Sequence, residues 1–207
     1  MKEQAIKGHL ISFFTVLIWG TTFISTKVLL EAYHPVEILF IRFVMGLLAL
    51  YLIYPKPLKG TSFRQELQFA AAGLCGVCLY YLLENIALTY TLASNVSVII
   101  STAPFFTALL SWLFLKEGNA LRPAFLLGFC LAMAGIALIS FNGAALHLNP
   151  AGDLLALLAS VVWAFYSILI TKINGYGYHI ILTTRRTFFY GILFTLPALL
   201  LSGFQPD

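Results

Sequence analysis

A carboxylate and a carboxamide, Glu84 and Asn85, stand side by side inside an apolar run. Tyr81 lies one helical turn before them, and Pro104 falls in the middle of the next apolar stretch. A charged side chain in hydrocarbon costs about 2.5–3.5 kcal/mol even on insertion scales, so Glu84 must face protein or water. A proline inside a helix removes the backbone bond to the carbonyl of Ile100, which something other than lipid then has to satisfy. Two roles are open to Glu84. It can take up a proton when a solute leaves, or it can be a structural carboxylate, protonated or paired with Lys27 or Arg42. Hydroxyls and rings recur around it at three- and four-residue spacing, the mark of a helix face turned to protein or to a cavity. One such stripe is Ser12, Thr15, Trp19, Thr22 and Thr26, and Ser160, Trp163, Ser167 and Thr171 repeat it. The others are Ser97, Ser101, Pro104, Ala108 and Ser111, and Cys78, Tyr81, Glu84, Asn85 and Thr91. For the hydroxyls alone, close helix packing is the plainer reading, because they often bond back to their own helix. The rings lie within spans rather than in the interfacial belt, and a ring-lined wall suits amphipathic organic solutes. Tyr81, not Tyr80, is assigned to the face that carries Glu84 and Asn85.

Membrane helices must position these groups. The chain has 207 residues, 60% of them hydrophobic and only 10% charged, against roughly 25% charged in a soluble domain. Seven apolar spans are expected, each near the ~20 residues a bilayer needs. They are Leu10–Leu30, Val36–Tyr54, Leu67–Tyr90, Asn95–Leu115, Pro123–Phe141, Leu154–Ile173 and Ile180–Leu201. Short breaks separate them, among them His34-Pro35, Pro55-Lys56-Pro57, Glu117–Arg122 and Gly143–Gly152, which leaves no soluble domain. The first span follows Lys2 and Lys7 but lacks a cleavage pattern and is too long for a signal peptide, so it reads as a transmembrane helix. Basic residues gather in alternate loops (Lys56, Lys59 and Arg64; Lys116 and Arg122; Lys172) on the side of Lys2 and Lys7. That bias predicts a multi-pass protein of the cell (inner) membrane with a cytoplasmic N-terminus and Asp207 outside. Arg185 and Arg186 read as cytoplasmic topology anchors.

An internal repeat is also visible. Trp19-Gly20 and Thr26-Lys27 are echoed five spans later by Trp163-Ala164 and Thr171-Lys172. An odd number of spans per repeat inverts the second copy relative to the first. The expected fold is an all-α polytopic membrane protein, an inverted-repeat helical bundle with seven of an expected ten transmembrane helices. Residues 1–145 are the first five-helix repeat and 146–207 the first two helices of the second. Two full copies would need about 290 residues. The chain is therefore expected to stop early, as a fragment, a truncated product or a split protein.

The run ENIALTYTLASN, followed by a proline and then LLSWLFLKE, resembles the end of helix three and all of helix four in the EamA-type branch of the drug/metabolite transporter superfamily. LIWGTTF at Leu17–Phe23 resembles the first helix of the same family, and the resemblance covers nearly the whole chain. It implies an inner-membrane secondary transporter, an exporter of small organic metabolites such as amino acids, working by alternating access. In that picture Trp19, Tyr81 and Trp163 contact the solute, and Thr22, Asn85, Ser101 and Ser167 supply hydrogen bonds. Glu84 tunes protonation and Pro104 is the hinge. The implied partners are a small-molecule metabolite and the lipid bilayer, with either a second copy or a missing C-terminal half completing the wall.

Other classes find little support. There is no HExxH, G-x-S-x-G or Walker A pattern, so no enzyme and no ATP-driven pump is expected. No cofactor or metal site is expected either. Cys75 and Cys78 sit one turn apart without a His or further Cys nearby, and read as packing residues. The net charge of +4 is small and its basic residues are dispersed, which argues against nucleic acid. The rival functions are a seven-helix membrane receptor and a channel without transport activity. A retinal receptor would need a lysine between Ile180 and Leu201, where none occurs. Ala124, Gly128 and Ala132 form a small-residue ridge suited to helix packing.

Overall fold

The computed structural model of the chain describes residues 2–116, 120–140 and 149–202. Among them the chain forms seven helical rods and no strand. These are α1 (Lys2–Leu29), α2 (Pro35–Ile53), α3 (Phe63–Tyr90), α4 (Ala93–Leu115), α5 (Pro123–Ser140), α6 (Pro150–Asn174) and α7 (Ile180–Leu201). α1 to α4 and α6 are each long and apolar enough to cross a membrane. α5 is apolar but shorter over its described length, and α7 carries the polar pair Arg185-Arg186. The protein is an all-α polytopic membrane protein. The expected breaks at Glu117 and Gly143, the repeat boundary at 145/146 and the chain end at Asp207 lie outside the described residues.

Local signals explain where the rods begin. Pro35 opens α2, and the Glu37 carboxylate reaches back to accept from the His34 N–H at 2.8 Å. Ser62 and Gln65 close a reciprocal capping box on α3, with the Ser62 N–H donating to Gln65 Oε1 at 2.8 Å. Asn149 accepts from the N–H groups of Ala151 and Gly152, both at 3.2 Å, ahead of Pro150 in α6. The expected starts of α3 and α6, at Leu67 and Leu154, thus fall inside the helices, because the caps set the ends and hydropathy does not.

α3 and α6 form the centre of the bundle. α2 and α7 pack on one side of this pair, and α4 packs along α6 on the other. α5 lies against α4, and α1 packs sparsely, mainly on α3 and α4. Leu39, Phe43 and Val77 join α2 to α3 beside Phe188 of α7. Ala87, Leu88, Val96 and Ala156 close the seam of α3, α4 and α6. Two glycines let α3 sit this deep. A Cβ on Gly73 would lie 2.6 Å from the Gly191 backbone nitrogen, and one on Gly76 would lie 2.2 Å from the Tyr166 ring. The small-residue ridge of α5 does no such work here, since nothing lies within 4 Å of where a Cβ on Gly128 would be.

Two rods depart from regular α-helix. α3 contains a wider π-helical stretch at Leu74–Leu79, and α4 ends in another at Ser111–Leu115. α4 is also interrupted at Ser101-Thr102, so Pro104 sits in the first turn of its second half, where its missing N–H is harmless.

Candidate functional site

A cavity of about 700 Å³ lies among α1, α3, α4 and α6. α1 contributes Trp19, Thr22 and Phe23; α3 contributes Tyr80, Tyr81 and Glu84; α4 contributes Ser94, Ser97, Ser101 and Pro104; α6 contributes Trp163. A second, shallower cavity of about 460 Å³ follows along α4, lined by Thr107, Ala108, Ser111, Ala120 and Phe125. Among the described residues the two have only Pro104 and Trp163 in common.

The rings form one connected wall. Trp163 meets Trp19 edge-on at 6.0 Å between centroids and Tyr80 at 4.7 Å, and Tyr80 meets Tyr81 at 4.8 Å. Behind the wall Phe43 of α2 supports Tyr81 at 5.1 Å, and Tyr166 supports Trp163 at 5.0 Å. The π-helical stretch of α3 comes immediately before Tyr80, Tyr81 and Glu84. By adding a residue to the turn it breaks the ordinary spacing. Past that stretch Tyr80 and Glu84 stand four residues apart on regular α-helix, so Tyr80 shares the Glu84 face and joins the lining, contrary to its assignment to another face, while the altered spacing turns Cys78 to α7 and Thr195.

Glu84 is 2% exposed. Tyr80 hydrogen-bonds it and the Arg42 charge acts on it, but neither of its expected partners forms an ion pair with it. The Lys27 ammonium instead donates to the carbonyls of Leu88 and of Thr91, the latter at 3.1 Å, capping the end of α3. The Arg42 guanidinium donates to Thr26 Oγ1 at 2.8 Å and lies 5.6 Å from the centre of the Tyr81 ring.

Thr22 and Ser101 line the cavity with their hydroxyl protons already committed. Thr22 donates to the Trp19 carbonyl at 2.7 Å and Ser101 to the Ser97 carbonyl at 2.7 Å. Ser97 does the same toward Ser94 at 2.8 Å. What these oxygens offer the cavity is lone pairs. Asn85 and Ser167 are outside the lining. The Asn85 amide donates to the Pro35 carbonyl at 2.9 Å, tying α3 to the start of α2 and leaving Oδ1 buried without a partner. Ser167 donates to the Trp163 carbonyl at 2.9 Å.

At the far end of α3 a polar cluster binds α3 and α7. The Glu66 carboxylate accepts from Thr61 and Tyr190, each at 2.6 Å, and pairs with Arg186 at 3.1 Å. Arg185 is buried, donates to the carbonyls of Tyr54 and Lys56, and lies 4.0 Å from the centre of the Tyr51 ring. Both arginines thus tie helices together, a role beyond that of topology anchors. Their partners are too distant in sequence for a charge count to reveal.

Residues 6–141 match the EamA-like transporter family. An "Uncharacterized transporter" of Archaeoglobus fulgidus is 34% identical over 203 residues, covering 96% of this chain and 68% of that protein. The "Uncharacterized transporter YvbV" of Bacillus subtilis is 29% identical over 77% of this chain and 52% of its own length. The "Uncharacterized inner membrane transporter YedA" of Escherichia coli K12 is 29% identical over 76% of this chain and 51% of its own length. The chain thus spans about half the length of these last two relatives. One crystal structure superposes with a TM-score of 0.69 at 20% identity, over 96% of this chain and 68% of that one, a likeness of fold alone. With the ring-walled cavity among its membrane helices and this extent of similarity, the chain belongs to the EamA-like transporter family.

Proposed function

We propose that this chain carries the solute site of a secondary transporter that exports small organic metabolites, such as amino acids, by alternating access. One observation carries the reading. Two cavities follow one another along α4 and, among the described residues, share only Pro104 and Trp163. A path interrupted at one ring and one helix break is what a carrier needs, because a solute held on one side passes only when that partition moves. Pro104 follows the interruption of α4 at Ser101-Thr102, so the two halves of that helix can bend against each other there. Trp19, Tyr81, Glu84, Ser101 and Trp163 are the solute contacts of this reading, with Thr22 beside them. Asn85 and Ser167 act through the helices they brace.

Residues 1–145 are assigned to a first five-helix repeat and 146–207 to the start of an inverted second one. The edge-on contact of Trp19 with Trp163, the matching tryptophans of the two copies, supports this pairing. The basic loops orient the N-terminus to the cytoplasm. The test is efflux from cells expressing the chain and preloaded with labelled amino acids and other small metabolites. Faster efflux that Trp163→Ala abolishes is expected. Background rates for every solute, with the protein present in the membrane, would sink the reading. Single-channel currents would replace it with a channel.

A further inference from the structure

We propose that the cavity takes an organic monocation, a protonated amine on an aromatic or apolar frame, with the ammonium on Glu84 and the frame against Trp19, Tyr80 and Trp163. The inference rests on the reading of the cavity as a solute site and narrows the small organic metabolites to amines, in place of the amino acids given there as the example. Three independent features demand a cation.

The first is charge. Among the described residues lining either cavity, Glu84 is the single acidic one and there is no Lys, Arg or His. It is almost fully buried and has no ion pair among the described residues. A buried carboxylate in that position is best satisfied by a charged donor brought in by the solute. Arg42 does not fill the role, since its guanidinium is spent on Thr26 Oγ1 and the Tyr81 ring and stays outside the lining.

The second is hydrogen-bond polarity. Thr22, Ser97 and Ser101 all donate to carbonyls of their own helices. Toward the cavity they present acceptors, which an ammonium can use and a carboxylate cannot. The third is the wall itself. Indole and phenol faces attract cations through the ring quadrupole, more strongly where water is excluded.

A zwitterion would bring a carboxylate for which the described lining offers only neutral donors, the indole N–H groups and the Tyr81 hydroxyl, and no cation. The site should therefore rank solutes of one frame by charge. Binding is measured by quenching of intrinsic tryptophan fluorescence, with the full chain in lipid nanodiscs and three probes that share a phenylethyl frame: phenethylamine, phenylalanine and 3-phenylpropionate. Phenethylamine is expected to bind at least tenfold more tightly than the other two. Glu84→Gln should erase that difference, and Glu84→Asp, which keeps the charge, should preserve the order. If phenylalanine or 3-phenylpropionate binds as well as phenethylamine, or if Glu84→Gln leaves the order unchanged, the cation proposal is overturned. In either case Trp163-dependent binding would leave the carrier reading intact. If no probe quenches the wild-type protein, both fall.

Discussion

The indole of Trp19 meets that of Trp163 edge-on, with ring centroids 6.0 Å apart and planes at 87°. The contact bridges α1 and α6, which pack little on each other otherwise. α1 packs sparsely on its neighbours, so this ring pair and Lys27 supply much of its attachment. Edge-to-face pairs contribute about 0.5–1.5 kcal/mol beyond area burial. Trp19→Ala is expected to lose about that much, while Trp19→Phe keeps most of it. Hydrogen exchange in nanodiscs checks this. The amides of α1 should exchange faster in the alanine variant, and those of α2 and α7 should not.

The approach of Gly73 to Gly191 sets the spacing of α3 and α7. A methyl group on Gly73 would stand 2.6 Å from one backbone atom and 2.7 Å from another, neither of which can rotate away. Gly73→Ala is expected to cost about 1–3 kcal/mol through overpacking. Gly128→Ala, with open space around it, is expected to be neutral or slightly stabilising. Thermal unfolding in one detergent compares the two, and equal melting temperatures would show that α3 and α7 are not this close.

Much of this architecture was legible in the sequence, for reasons that differ from residue to residue. The seven rods follow from apolar runs cut by Pro, Gly and short polar breaks, which hydropathy reads directly. Trp19, Tyr81, Glu84, Ser101 and Trp163 come together because each breaks the lipid-facing pattern of its helix at a fixed spacing. Tyr80 stands four residues before Glu84 on regular helix, so its face was legible in the spacing; Cys78 was misplaced because the spacing changes at Leu74–Leu79, and no residue there announces a π-helical turn. The glycines Gly73 and Gly76 were the available hint, since wide turns often sit where another helix presses close. The roles of Asn85, Lys27 and Arg185 were hidden for another reason. Each binds a backbone carbonyl, of Pro35, Leu88 or Tyr54, and carbonyls leave no trace in side-chain chemistry.

Lys27 supplies the third case. Its ammonium takes the carbonyls of Leu88 and Thr91, acceptors that the end of α3 leaves without intrahelical donors. Lys27→Met keeps the length of the side chain but strands those oxygens. A loss of about 1.5–3 kcal/mol is expected, the usual range for a hydrogen bond to a charged group. Lys27→Arg should restore part of it. If Lys27→Met unfolds at the wild-type temperature, the cap contributes nothing to stability.

Glu66 holds three groups from two places, Thr61 before α3 and Tyr190 and Arg186 on α7. Removing the carboxylate strands them together. Arg186 is the most exposed to the loss, because its Nε is already buried without a partner. Glu66→Ala is expected to cost about 1–3 kcal/mol. Glu66→Gln should cost less, since an amide oxygen can still accept from Tyr190 or Thr61 while only the charge opposite Arg186 is gone. The ionic part can be isolated by a double-mutant cycle of Glu66→Gln with Arg186→Gln. A coupling of about 0.5–3 kcal/mol is expected for residues in one network. Additive losses, with no coupling, would mean that the Arg186 guanidinium finds equal company elsewhere and that its ion pair adds nothing to the hydrogen bond and packing that join α3 to α7.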